Sequence, residues 1–367
     1  MLPKERVFAA LERKVPDRLP LDGNLRPEVW QRLQKHLNAD RERLLEILGI
    51  DFRRIQRMPS YKYQQELALN RKQYNRIFPQ GELQNWLYLG NGLFTNEWGV
   101  KRRLGQDGRY YQYIYHPLAE DKDISSYKFP EVNAPGCFDT AQRTAELYGS
   151  KYALVADVQH FFRHGWELRG FQQYLMDLYL NPKLVIDLNE RLLEFKCQEI
   201  KIYISLGVRI IGLIGDIATQ TGMLFSIAMW RKYFKPYMAR LIEFARSLTK
   251  ERLYFYFYSD GNCEEVIPDL IDIGIEILNP VQPECMSPSK IKKTYGKELI
   301  LYGTISVQKT LPFGSPEDVR NEVLDRIREC GYDGGLIIAP SNVIQEDVSD
   351  GNILTLYRTV QEYSYKL

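Results

Sequence analysis

Two aspartates, each at the end of an apolar run, are the strongest candidates for chemistry in this sequence. Asp260 follows the run YFYFYS, which begins at Tyr254, and Asp216 ends the run VRIIGLIGD. A carboxyl group at the edge of an apolar strand can acquire a raised pKa that suits proton transfer, and it can also bind a hard metal ion. Asp260 could instead close a turn by bonding to the backbone of Gly261 and Asn262, and Asp216 could cap the turn that follows it. We predict that Asp260 and Asp216 are catalytic and that Asp260 is a candidate metal ligand.

Two histidines and two cysteines offer other ligands. His160 and His164 lie four residues apart in VQHFFRHGWELRG, so they could share one face of a helix. A histidine pair often begins a transition-metal site, but no third ligand is evident beside this one. The start of the segment resembles a loop, which favours substrate contact, and we predict a catalytic role for His164. Cys263 and Cys285 are more typical of small core residues than of soft metal ligands.

Further polar and aromatic residues stand at or near the ends of the apolar runs, where they could hydrogen-bond or enclose a substrate. We predict substrate contacts for Tyr258, Asn262, Gln220, Asn279, Gln282, Asn342 and Trp98. Packing alone would also explain the two aromatic residues of this set, which could otherwise form one wall of a pocket.

The elements that carry these residues alternate between strands and helices from about residue 150 onward. The runs IGLIGD, YFYSDGN, ILNPVQ, LYGTIS and IIAPSN each pass from apolar to small and polar residues. Alternation of this kind predicts parallel β/α units. In a (β/α)8 TIM barrel the carboxyl ends of all strands share one face, where the active site lies. A doubly wound open sheet is the alternative, although no GxGxxG or GxxxxGK[ST] phosphate loop is present.

The first 150 residues are less regular. RLPLDGN (18–24) and DFRRIQRM (51–58) are predicted as further barrel strands. Short β-like pieces fill residues 61–130, which we interpret as an insertion, either a small hairpin or a lid over the barrel. The whole chain, 1–367, is predicted to be a single domain with that insertion.

Composition excludes several classes of protein. The formal net charge of +2 is too small to indicate a nucleic-acid-binding surface. Five scattered cysteines without a CxxC pair argue for a reducing compartment. The N-terminus reads as a charged amphipathic helix and not as a signal sequence, and no apolar stretch approaches the roughly 20 residues that span a bilayer. We expect a cytoplasmic protein that binds neither nucleic acid nor membranes.

Several stretches together resemble the uroporphyrinogen decarboxylase superfamily. They run in order along nearly the whole chain: ERVFAALERKVPDRLPLD, TNEWGVKRR, LRGFQQYLMDLYLNPKLV, GDIATQTGMLFS, YSDGN, GIEILNPVQPE and GGLIIAPSNVIQEDVSDGNILTLY. The resemblance implies a (β/α)8 barrel. It also implies one of two chemistries, tetrapyrrole decarboxylation or methyl transfer by zinc- or corrinoid-linked enzymes.

The chain departs from the decarboxylase pattern. That branch carries two arginines near its N-terminus and a late histidine, which suit a substrate with many carboxylates. Here LDGNLRPEVW offers only Arg26, Asp22 stands where the other arginine is expected, and Asn342 replaces the histidine. Tetrapyrrole decarboxylation is therefore disfavoured, with Arg26 kept as a candidate substrate contact.

The chain also departs from the methyltransferase pattern. That branch carries HxCG and a late cysteine, which bind a zinc ion that activates a thiol. Here the stretch is Tyr258-Ser259-Asp260-Gly261-Asn262, and Ser341 and Asn342 stand near the position of the late cysteine. A zinc site in this chain would need atypical ligands.

Three functions are weighed. The leading hypothesis is a methyltransferase or demethylase component that moves a methyl group from a small substrate to a corrinoid, a pterin or a thiol. The corrinoid would arrive on a separate partner protein, and a homodimer is considered. The alternatives are a decarboxylase of a tetrapyrrole or simpler carboxylate, and a barrel that binds a ligand without catalysis.

Overall fold

The computed structural model describes residues 1–74, 85–105, 110–120 and 124–363. The helices are α1 (Pro3–Leu11), α2 (Pro27–Leu37), α3 (Arg41–Ile47), α4 (Tyr61–Tyr74), α5 (Asp139–Tyr148), α6 (Phe161–Arg169), α7 (Phe171–Leu180), α8 (Pro182–Ser205), α9 (Ile227–Tyr233), α10 (Lys235–Ser247), α11 (Ile267–Asp272), α12 (Pro288–Tyr295), α13 (Thr310–Phe313), α14 (Pro316–Cys330) and α15 (Asp350–Glu362). The strands are β1 (Phe52–Ile55), β2 (Leu87–Gly90), β3 (Leu93–Thr95), β4 (Lys101–Leu104), β5 (Tyr111–Tyr115), β6 (Ala153–Gln159), β7 (Ile210–Ile214), β8 (Tyr254–Tyr258), β9 (Ile277–Asn279), β10 (Ile300–Tyr302) and β11 (Leu336–Ile337).

The main sheet is parallel throughout and has seven regular strands in the order β1-β6-β7-β8-β9-β10-β11. Helices connect successive strands, so the predicted α/β alternation is confirmed. Every one of the seven strands sends a side chain into a single interior cluster, which Val7 and Leu11 of α1 join. The sheet is therefore curled around a packed interior, with a second and larger core between its outer face and the helices.

The segment predicted as a strand at 18–24 is not a regular strand. It forms one parallel bridge, between Leu21 and Ile338, and the Asp51 main chain donates to Leu21 O at 2.9 Å. The Leu21 N–H donates instead to the Asp51 side chain at 2.8 Å, and Pro20 has no N–H to contribute. A regular ladder of main-chain hydrogen bonds cannot form where a side chain replaces a main-chain acceptor. The Leu21 segment nevertheless contacts both edges of the curled sheet, through Asp51 and Ile338.

The run YFYFY owes its alternation to the two faces of the sheet. Tyr254 and Tyr256 belong to the interior cluster, whereas Phe255 and Phe257 belong to the outer core. Side chains alternate with a period of two along a strand, so the next inward positions after Tyr256 are Tyr258 and then Asp260. The inward-facing side chains of β8 are therefore buried aromatic rings, and a carboxyl group follows at the carboxyl end of the strand.

The region from about Gly170 to Ser205 is helical and consists of two helices, because Pro182 cannot continue α7 and instead occupies the first position of α8. One prediction for the preceding segment needs correction. The segment after His160, expected to start as a loop, is helical from Phe161. His160 is the N-cap of this helix and accepts the Arg163 main-chain N–H.

The predicted insertion contains α4 and a four-stranded antiparallel sheet in the order β2-β3-β4-β5. Residues 75–84, 106–109 and 121–123 of this region lie outside the described residues. Tyr113 of β5 donates to Glu167 of α6 at 2.7 Å, so the small sheet lies against the helix that follows β6. Across the described ranges, no helix has the length and apolar character needed to cross a membrane.

Candidate active site

Asp260 and Asp216 come together where β8 and the neighbouring β7 end. The Asp260 main-chain N–H donates to Asp216 Oδ1 at 2.9 Å. Both side chains are partly buried. The two carboxyl groups that the sequence singled out therefore share one opening of the curled sheet, which we call the β8 opening.

Asp260 is also held by two other groups. Tyr258 O–H donates to Asp260 Oδ1 at 3.2 Å, and Asn342 Nδ2 donates to Asp260 Oδ2 at 2.5 Å. Burial, with a further contribution from the nearby Asp216 charge, raises the pKa of Asp260 to about 7, although the hydrogen bond from Tyr258 opposes the change. A carboxyl group with such a pKa can give or take a proton near neutrality.

The loop after β8 depends on Gly261. Its φ of +85° is in the left-handed region, and a Cβ there would lie 2.3 Å from Thr219 O. Its N–H donates to Gln282 Oε1 at 3.1 Å, and the Ser259 N–H donates to Asn279 O at 3.1 Å. Two predicted substrate contacts, Gln282 and Asn279, therefore bind the loop that carries Asp260.

A polar network crosses the interior below this opening, and sequence reasoning missed it. Arg54 of β1 forms ion pairs with Asp22 at 2.6 Å and with Asp157 of β6 at 3.0 Å. Tyr302 O–H donates to Asp22, and Tyr256 O–H donates to Asp157. The signal available in the sequence was the alternation of inward-facing positions along β1, β6 and β8, which places Arg54, Asp157 and Tyr256 on the interior face.

Arg54 lies on the interior side of the curled sheet, and 38% of its side chain is exposed. Burial lowers the pKa of Arg54, but the Asp22 and Asp157 charges outweigh burial and raise it well above its ordinary value. The guanidinium group is therefore permanently charged and reachable from the interior, with two carboxylates beside it.

The hydrogen bond from Tyr256 to Asp157 crosses β7, the strand that lies between β6 and β8. Gly212 of β7 is the register partner of Tyr256, and a Cβ on Gly212 would lie 2.1 Å from Tyr256 Cζ. A side chain at position 212 would occupy the space that the tyrosine ring crosses.

His164 and Trp98 do not join the β8 opening. They line a space of about 300 Å³ between β6, α6, α8 and the insertion, which includes Asp157 but neither Asp216 nor Asp260 in its lining and which we call the side cavity. No contact supports the prediction that His164 acts beside the aspartates. Helix α6 already begins at Phe161, and His164 is buried within its first turn. The His164 and Trp98 rings pack edge to face at 4.2 Å, so Trp98 forms a wall with His164 and not with Tyr258.

The remaining predicted residues have other neighbours. Gln220 is exposed and donates to Gln308 at 3.2 Å, while Asn262 Oδ1 accepts the Glu264 N–H at 3.1 Å. Arg26 precedes α2, and its main-chain N–H donates to Ile344 O at 3.0 Å, near the loop that carries Asn342. Cys263 is fully buried, and burial raises the pKa of its thiol to about 12, as expected for a core residue.

The residues at the positions where the resemblance implied zinc ligands do not fit a thiolate-rich zinc site. Tyr258 and Asn342 each donate a hydrogen bond to Asp260, and the Asn342 N–H that points at Asp260 cannot bind a metal. Within the described ranges, no three His, Cys, Asp or Glu side chains are grouped so that they could hold a metal ion. This donor set suits a hydrogen-bonded acid better than it suits zinc.

Residues 103–363 match the sequence model of the family described as uroporphyrinogen decarboxylase (URO-D). The chain belongs to the uroporphyrinogen decarboxylase family. No curated protein matches it, whereas 71 chains of solved structures do. One is a methyltransferase from Methanosarcina mazei, with a TM-score of 0.67, 16% identity and 99% of both chains covered. Another is a putative vitamin-B12-independent methionine synthase from Listeria monocytogenes, with a TM-score of 0.45, 12% identity and coverage of 93% of this chain and 95% of that one. The first of these shows that the fold of this URO-D chain is shared over its full length.

Proposed function

We propose that this URO-D family chain is a methyltransferase or demethylase component in which Asp260 protonates the group that loses a methyl. The observation that carries the proposal is the Asp260 carboxyl group, whose pKa is raised to about 7 at the open end of β8, beside Asp216. A general acid is most effective when its pKa lies near the working pH.

The proposed step moves the methyl group from a heteroatom of a small substrate to a nucleophilic acceptor. The bond from carbon to the heteroatom breaks, its electron pair stays on the heteroatom, and the Asp260 proton neutralises that pair. A corrinoid, pterin or thiol acceptor supplies the electron pair that takes up the methyl group. Asp260 then regains a proton from solvent at the opening.

The other residues of the opening would position Asp260 and the substrate. Asp216 fixes the Asp260 main chain and raises the pKa of its carboxyl group, while Tyr258 and Asn342 orient the two carboxyl oxygens. Gln282 and Asn279 hold the loop. A positioned acid of this kind needs no thiolate ligands, in agreement with their replacement in this chain.

Two further points support the proposal. The M. mazei protein that shares the full length of the fold is named a methyltransferase. The aspartates of the opening and the interior outnumber the single charge of Arg54, so the space favours a neutral or cationic methylated substrate over a polycarboxylate. We also propose that the Leu21 segment serves as the eighth element that closes the barrel, since it bonds to Ile338, the residue after β11, and to Asp51, the residue before β1.

Decarboxylation is the second candidate, and one observation favours it. The Arg54 guanidinium group faces the interior with 38% of its side chain exposed, so it could pair with a substrate carboxylate. Asp260 would then protonate the carbon that loses carbon dioxide. Asp22 and Asp157 already offset the Arg54 charge, which weakens this candidate.

A methyl-transfer assay tests the proposal. Purified, metal-replete protein is mixed with cobalamin reduced to its cobalt(I) state and with a panel of methylated amines, ethers and thiols, and methylcobalamin formation is followed by absorbance. We expect transfer from at least one substrate, its loss in Asp260→Asn, and its retention in Asp325→Asn, a carboxylate on α14 remote from the opening. No transfer from any substrate, together with carbon dioxide release from uroporphyrinogen, would replace the proposal by the second candidate.

A further inference from the structure

The side cavity contains a lysine that the proposed methyl transfer does not use. Lys196 of α8 lines this cavity, and its side chain is otherwise enclosed, with a residue exposure of 1%. Its Nζ lies 3.1 Å from His164 Nδ1, and no carboxylate of the described residues forms an ion pair with it. A buried ammonium without a carboxylate partner is costly, so the free amine is easier to form here than on an exposed lysine.

The groups around Lys196 complement a reactive amine. Burial lowers the pKa of Lys196 to about 8, against the charges of Glu199 on the same helix and Glu167 on α6. Burial, reinforced by the Lys196 and Arg163 charges, lowers the pKa of His164 well below its ordinary value, so the imidazole is a neutral acceptor. At pH 7 about a tenth of the Lys196 side chains would be free amine, far more than for an ordinary lysine.

Glu199 supplies an acid in the same cavity. It lies three residues after Lys196 on α8, on the same side of the helix, and it also lines the cavity. Burial raises the pKa of Glu199, opposed by the Lys196 charge and by a hydrogen bond from Tyr203 O–H at 2.9 Å. The amine, the base and the acid therefore line one cavity.

We propose that Lys196 is a nucleophilic amine that forms an imine with a small 2-oxo acid bound in the side cavity. The amine nitrogen of Lys196 adds to the carbonyl carbon, and His164 accepts the proton that the nitrogen loses. The former carbonyl oxygen takes one proton from Glu199 and one from the imidazolium and leaves as water, so that a carbon–nitrogen double bond replaces the carbon–oxygen double bond. The product is a protonated imine, whose positive charge is balanced by the Glu199 carboxylate.

The carboxylate of the substrate is inferred from Arg102. Its guanidinium group lies 4.2 Å from the ring centres of both Trp86 and Tyr113, and it also lines the cavity. The Arg102 Nη2 atom lies 3.6 Å from Glu167 Oε1 and donates to the Tyr113 hydroxyl oxygen, whereas the Arg102 Nε atom is buried and has no hydrogen-bond partner among the described residues. A carboxylate would satisfy this donor, and the flanking aromatic rings hold the guanidinium plane in place.

Reductive trapping tests this inference independently of methyl transfer. The intact protein is incubated with pyruvate and sodium cyanoborohydride, and the sites of the reduced adduct are located by peptide mass spectrometry. We expect one dominant adduct, at Lys196, formed faster as the pH rises through about 8. Pyruvamide, which lacks the carboxylate, should label Lys196 at least tenfold more slowly than pyruvate does.

Matched variants separate reactivity from folding. Lys196→Met should abolish the dominant adduct, whereas Lys201→Met, which changes an exposed lysine of the same helix, should leave it unchanged. His164→Phe keeps a ring against Trp98 and should slow labelling of the unchanged Lys196. The inference is overturned if wild-type protein shows labelling spread over exposed lysines with none at Lys196. It is also overturned if pyruvamide labels Lys196 as fast as pyruvate.

Discussion

The main-chain N–H of Asp260 donates to Asp216 Oδ1 at 2.9 Å, which joins the ends of β7 and β8 through a carboxylate. This bond has two consequences for the Asp260 side chain. It fixes the backbone that carries the carboxyl group, and it holds the Asp216 charge close enough to raise the pKa of Asp260 beyond the effect of burial. Position and acidity therefore depend on the same neighbour.

The pH dependence of activity follows from the proposed role of Asp260 as an acid. Because the protonated form is required, kcat/KM for methyl transfer should be constant at low pH and should fall as the pH rises through about 7. Asp260→Asn should lower kcat/KM by at least about a hundredfold and remove this step from the profile. A profile that instead rises through pH 7 would assign Asp260 as a base.

Asp216→Asn should move the midpoint of that profile to lower pH. The substitution keeps an oxygen that can accept the Asp260 N–H but removes the charge that raises the pKa of Asp260. Burial remains, so the midpoint should stay above the ordinary value of 3.8. A steady-state pH series on the single variant measures the shift, and an unchanged midpoint would remove Asp216 from the account.

The same carboxyl group should destabilise the folded protein at neutral and alkaline pH. The pKa of Asp260 is higher in the folded state, at about 7, than the 3.8 of an ordinary aspartate, so the folded protein binds more protons between these values. The Asp260 contribution to the free energy of unfolding therefore falls as pH rises from about 4 to 7. Asp260→Asn should be more stable than wild type at pH 8, by about 2–4 kcal/mol after allowance for its partial exposure.

Urea unfolding at pH 8 and at pH 4.5 measures this difference. The stabilisation by Asp260→Asn should be largest at pH 8 and should nearly vanish at pH 4.5, where the buried carboxyl group is protonated. A variant that is less stable than wild type at pH 8 would show that the Asp260 charge is well solvated in the folded protein.

Gly212→Ala should disturb the interior network without touching the opening. The added Cβ would lie 2.1 Å from Tyr256 Cζ, so the ring must move away from Asp157. Overpacking of this kind costs about 1–3 kcal/mol. Gly222→Ala is the control, because a Cβ there meets no atom within 4 Å. Denaturant unfolding compares the two, and equal stability would show that the interior has room for the methyl group.

The sequence predicted the parallel alternation of strands and helices and the proximity of Asp260 to Asp216. Both depend on local patterns: apolar runs that end in polar residues, and the rule that parallel strands end at one edge. The small β-rich insertion was also visible, as a change from long to short apolar pieces. These features require no knowledge of which strand pairs with which.

Features that depend on distant pairing were not predicted. The ion pair of Arg54 with Asp22 and Asp157 requires the register of β1 against β6 and the position of the Leu21 segment. Lys196 reads as a surface lysine in EFKCQEI, and only the packing of α8 on α6 reveals that it is enclosed. The segment that carries His164 was expected to start as a loop, because the start of α6 is set by the His160 cap and not by a periodic pattern of apolar residues.

The titration of Asp260 itself tests the central claim most directly. Protein labelled with 13C at the aspartate side-chain carboxyl carbons is followed by NMR from pH 3 to pH 9, with Asp260→Asn used to assign the resonance. We expect one aspartate signal with a midpoint near pH 7 that is missing in the variant and moves to lower pH in Asp216→Asn. A resonance assigned to Asp260 that titrates near pH 4, like an exposed aspartate, would contradict the account.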